Sequence, residues 1–117
     1  RDIYPRGEIR RKMPFDQYHE PFEELPQETR TFARLIMSMI EEADAINWYE
    51  QRMAVEADKE AKKVMQHAQQ EEFIHFGMDL EFLLRRNETW RKVLKNILFK
   101  KGDLVELAEH SEEEVDE

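Results

Sequence analysis

Glu72 and His75 stand three apart in the stretch Glu71-Glu72-Phe73-Ile74-His75. Three residues is nearly one helical turn, so both side chains leave on the same face. That face is otherwise apolar, with Ala61, Met65 and Ala68 before the pair and Phe82 seven beyond His75. A carboxylate and an imidazole inside an apolar stripe are costly unless something pairs with them. Glu-x-x-His is the spacing by which helix-bundle carboxylate proteins hold two iron or manganese ions. Taken alone it is a weak signal, because Glu and His fall three apart by chance in many helices.

The elements that must position these residues are long helices. The first is expected from near Pro26, a residue suited to a first helical turn, to about Val55. Leu35, Met39, Ile46, Tyr49 and Met53 form its stripe, and Glu42 falls inside that stripe, one heptad before Tyr49. The bland alternative makes Glu42 an edge acid and Tyr49 ordinary core. Glu41, Asp44 and Trp48 lie on a neighbouring stripe, which suits a solvated acidic face as well as a site. The second helix follows a break at Ala57-Asp58, with Asp58 as its cap, and continues through Arg85-Arg86. Gly77, which costs about 1 kcal/mol in a helix interior, suggests close approach by a neighbouring backbone. His67, flanked by polar residues, reads as a surface histidine. Asn87 caps a shorter helix carrying Trp90, Val93, Leu94, Ile97 and Leu98, with Gly102 as its stop.

Composition agrees with an all-α fold. Of 117 residues 38% are charged, and only 3 are Gly and 4 Pro, which favours helix over sheet. The length suits one domain. With no Cys there are no disulfides or zinc-thiolate sites. No apolar run approaches the roughly 20 residues that span a bilayer, so no membrane partner is expected, and no signal-peptide pattern is present. The net charge of −9 argues against nucleic acid. Three regions follow: a basic N-terminal arm (1–18), a helical hairpin domain (19–102), and a short helix with an acidic tail (103–117). The arm, broken by Pro5, Gly7 and Pro14, reads as extended, and the tail as a solvated, disordered end.

Two helices of about 28 residues reach about 42 Å but cannot enclose a core. A carboxylate di-metal bundle takes a Glu from each of two helices and a Glu-x-x-His from each of the other two. This chain offers Glu42 and one Glu72-x-x-His75, half a bundle and half a site. Two copies about a two-fold axis complete both, giving a four-helix bundle built from two antiparallel hairpins, each with a short C-terminal helix.

The sequence also resembles the encapsulated ferritin family, the ferritin-like cargo of encapsulin nanocompartments. The matching residues are His19-Glu20-Pro21 and Glu28-Thr29, then Glu41-Glu42-Ala43-Asp44-Ala45-Ile46-Asn47-Trp48-Tyr49-Glu50-Gln51-Arg52. Glu71-Glu72 with His75, Leu84-Arg85-Arg86-Asn87 and Leu98-Phe99 complete the set, over about residues 18–102. The resemblance implies a ferroxidase whose di-iron ligands are Glu42, Glu72 and His75 from both subunits of a dimer, with two ions per dimer and Tyr49 close by. It implies an outer site, through which metal enters, at Glu41 and Asp44 beside Trp48. It also implies a ring of dimers such as a decamer, an encapsulin shell as partner, and a cytoplasmic location inside that nanocompartment. This chain departs from the family in carrying Asp44 where Glu is usual, in a longer basic arm, and in lacking a clear Gly-and-Leu-rich shell-targeting segment after Gly102.

Hard carboxylate oxygens with one imidazole per metal suit Fe(II) and hold Fe(III) better, which favours oxidation by dioxygen. Two rivals remain at this level. In one, an acidic helical dimer binds a partner through Trp48, Trp90 and the basic arm, and Glu42, Glu72 and His75 form a metal-free salt-bridge cluster. In the other the metal stays but the protein is a di-metal peroxidase or a manganese protein.

Overall fold

A computed structural model describes residues 17–116, and among these residues there are helices and turns but no strand. After a 3-10 turn at Phe22–Glu24 come α1 (Gln27–Val55), α2 (Lys59–Leu84), α3 (Glu88–Lys95) and α4 (Leu104–Asp116). The all-α class and the helical hairpin are as the sequence predicts. Nearly all of the basic arm lies outside the described residues. The chain divides into two compact units, the boundary falling within α2 between Asp79 and Leu80.

In the first unit, the Pro26 carbonyl accepts from the N–H groups of Thr29 and Arg30 and so starts α1. The Arg30 guanidinium lies 3.8 Å from the Phe22 ring centre and donates to the Phe22 carbonyl at 2.6 Å. This pins the 3-10 turn onto the first turn of α1. Asp58 does open α2, its Oδ1 accepting from the Ala61 N–H at 2.8 Å. The two helices are antiparallel in register: Glu42 of α1 faces Glu72 and His75, while Ile46 and Glu50 face the earlier Gln69. Gln69 is buried and donates both to the Ile46 carbonyl (3.1 Å) and to Glu50 Oε1 (3.0 Å). A paired polar group in that position fixes one register, since sliding the helices would strand it. At Gly77 a Cβ would meet nothing within 4 Å, so among the described residues of a single copy no backbone makes the close approach suggested there.

The second unit buries Leu83 and Leu84. Glu81 takes Arg85 Nε at 2.7 Å and Arg91 at 3.4 Å, and these cations, Arg85 first, hold its carboxyl below the usual range. Asn87 caps α3 as predicted, its side chain accepting from the Trp90 N–H at 2.9 Å. The end of α3 is not where the sequence puts it. The helix closes at Lys95, and the turn after it ends on Phe99, whose φ of 60° is the left-handed conformation with which helices commonly stop. Gly102 (φ 116°) instead precedes α4. Asp103 then caps α4 through the Val105 and Glu106 N–H groups, both at 3.0 Å.

The acidic C-terminal stretch is therefore helical through Asp116 rather than a disordered end. Leu107, Ala108, Ser111 and Val115 recur at helical spacing along α4 and are its less exposed residues. Ser111, fully buried, donates from Oγ to the Val93 carbonyl at 3.2 Å, and Asn96 bonds Glu114, which ties α4 to α3. No described helix is long and apolar enough to cross a membrane.

Candidate metal centre

Glu42 sits midway along α1, and Glu72 and His75 lie one turn apart on α2. The antiparallel register held by Gln69, one turn before Glu72, brings the three together. Each offers one ligand atom, and the three atoms lie within 4.8 Å of one another. Glu42 and Glu72 are half-buried and His75 is exposed. Without a metal, His75 Nδ1 stands 3.4 Å from Glu72 Oε1, a long contact between side chains that are 50% and 25% exposed. That weak pairing leaves both groups free to turn toward a cation.

Electrostatics at the cluster centre on Glu42. Burial first, and then the Asp79 carboxyl beside it, push its pKa from 4.5 up to about 7, while His75 opposes the shift. Glu42 Oε1 and Asp79 Oδ2 are both enclosed and, among the described residues, accept no hydrogen bond from a protein N–H or O–H. Two adjacent carboxyls can satisfy each other only by sharing a proton, and when both are ionised each needs a cation. Buried polar atoms normally have partners, so these orphaned oxygens fit a metal ion. Hard oxygen donors plus one imidazole are also the set suited to divalent iron or manganese.

Tyr49 lies two turns beyond Glu42 on the same stripe of α1, with the Arg52 guanidinium 5.3 Å from its ring centre. Glu41 is exposed, Asp44 half-buried, and Trp48 51% exposed. Glu41 and Asp44 join no group of metal-ligating side chains among the described residues. His67, as expected, is a surface residue, 76% exposed and 3.8 Å from Glu71. Two members of the region escape the sequence reading. Asp79 follows His75 by four, so extending Glu72-x-x-His75 by one more turn would have found it. Gln69 precedes Glu72 by three, a polar residue on an apolar face, and the same criterion that singled out Glu72 applies to it.

Known proteins share this arrangement of sequence and fold. The profile of the EncFtn-like family matches residues 17–101. A ferritin-like protein of Thermotoga maritima is 38% identical over 96 residues, which is 82% of this chain and 84% of that protein. An encapsulated ferritin-like protein of Rhodospirillum rubrum is 38% identical over 86 residues, 74% of this chain and 61% of that protein. The crystal structure of protein ne0167 from Nitrosomonas europaea matches at a TM-score of 0.72 with 39% identity, over 74% of this chain and 96% of that one.

Proposed function

The chain belongs to the EncFtn-like family, the encapsulated ferritins, and from that membership we propose that it is a ferroxidase. Its substrate is Fe(II), bound as a pair of ions by Glu42, Glu72 and His75 from each of two subunits. The observation that carries the proposal is the convergence of those three ligand atoms to within 4.8 Å in a single chain. One chain supplies two carboxylates and one imidazole, and a two-fold axis doubles these to the ligand complement of a di-iron bundle. Each Fe(II) gives one electron to dioxygen, and the ferric product passes to a mineral.

Association is supported by what one copy leaves in water. Ile74, beside His75, is 55% exposed, Met78 64% and Phe73 50%, apolar surface that a second hairpin would cover. Tyr49 lies beside the di-iron position, and Glu41 and Asp44, next to Trp48, form an outer acidic stripe that draws Fe(II) inward. The Rhodospirillum rubrum relative is named as encapsulated, which supports the reading that this chain, too, works inside an encapsulin shell; a ring of dimers is what the family resemblance adds to that reading.

Aerobic Fe(II) oxidation by the pure protein, with metal content and mass measured together, tests the proposal. Glu42→Ala, Glu72→Ala and His75→Ala should each remove most oxidation, because every change takes a ligand from both halves of the site. Near wild-type rates in any of the three would remove that residue from it.

A further inference from the structure

Glu42 does not face the cluster alone. Asp79, one turn beyond His75 on the same face of α2, contacts it, and Glu42 Oε1 and Asp79 Oδ2 are both enclosed without a protein donor. Asp79 is not one of the three groups whose ligand atoms lie within 4.8 Å of one another, so it reaches the cluster through Glu42. No other described contact explains an acid there: among the described residues, the Asp79 side chain forms no ion pair with Lys or Arg that would give it a structural role. In a metal-free chain the two adjacent carboxyls can both be ionised only at a cost, which a hard cation placed between them offsets.

We propose that Asp79 extends the cluster to a fourth side chain, its third acid, sharing with Glu42 a hard divalent cation, Fe(II) as substrate, and fixing how the Glu42 carboxylate is turned. The two oxygens of Glu42 allow it to serve Asp79 on one side and the Glu72–His75 pair on the other. Doubled across a two-fold axis, Glu42 and Glu72 give four negative charges, the charge of two Fe(II), and the Asp79 pair raises this to six, the charge of two Fe(III). Asp79 thereby helps to balance the charge of the oxidised pair until it passes to the mineral. The inference rests on Glu42, Glu72 and His75 being a metal site.

Calorimetric titration of the full chain with Co(II) tests it, alongside thermal unfolding of the metal-free protein, for wild type, Asp79→Asn and Asp79→Glu. Losing a partner of a metal ligand typically weakens metal affinity about 10- to 100-fold, and Asp79→Asn should fall in that range. The same variant should unfold at a higher temperature without metal, because its amide N–H can donate to Glu42 Oε1. Asp79→Glu should recover part of the affinity. A merely structural Asp79 would instead give a lower unfolding temperature and unchanged affinity, which overturns the inference. Wild-type binding with Asp79→Asn matching it overturns the inference and leaves the three-residue site standing. A wild type that binds no Co(II) overturns both.

Discussion

Raising the Glu42 carboxyl to about 7 makes the metal-free fold pH-dependent in a defined direction. Below the ordinary value of 4.5 the group is protonated in both folded and unfolded chains and contributes nothing to the difference. Between 4.5 and about 7 the fold holds a proton that the unfolded chain has released, so stability falls as pH rises, and above about 7 it levels off. Unfolding of wild type and Glu42→Gln, compared across this range, should therefore show the variant gaining on wild type from about 4.5 to about 7. A constant difference would mean that Glu42 titrates normally. Metal binding requires the carboxylate, so it should strengthen over the same interval. The proposed function gives Glu41 and Asp44 a different part, since each residue along a helix turns about 100° and neither shares the direction of Glu42. Attraction by such acids is screened, with a Debye length of about 8 Å at physiological salt. The double variant Glu41→Ala, Asp44→Ala should alter the rate of iron uptake and its salt dependence while final occupancy stays the same. Uptake curves that overlay wild type at low and high salt would reduce this stripe to a solvated acidic face.

At the scale of elements, the hairpin was legible because its signals are local. Apolar spacing gave α1 and α2, and Asp58 and Asn87 each cap the helix that their residue type predicts. Glu42, Glu72 and His75 were legible because each interrupts an apolar stripe. The close of α3 was not, because a bulky residue rarely adopts positive φ and Gly102 was the more natural stop; the chain uses Phe99 instead. α4 was obscured by its charge, since a row of acids resembles a solvated tail when the Asp103 cap and the Ser111 contact are not in view. Gln69 was overlooked for a similar reason: its value lies in partners 19 and 23 residues away. Removing them by Gln69→Ala should cost about 1–3 kcal/mol and loosen the register that aligns Glu42 with His75. Urea unfolding measures the first effect and Co(II) affinity the second. An unchanged midpoint with unchanged affinity would show that packing alone sets the register.

At the scale of the whole molecule, a single copy leaves large apolar side chains beside His75 half in water, and under the proposed function its Glu42, Glu72 and His75 are half the ligands of a di-iron bundle. If a second copy supplies both deficits, metal binding and association are one linked equilibrium, because the ion binds only the associated form. The most direct measurement is native mass spectrometry of dilute protein with and without Fe(II), under anaerobic conditions, for wild type and His75→Ala. Fe(II) should move wild type from monomer to dimers and higher even oligomers, with iron found in pairs on the dimers and absent from the monomers. His75→Ala should show neither the iron nor the shift. Iron carried by monomers, or a mass distribution that metal leaves unchanged with monomer dominant, would contradict a site completed between two subunits.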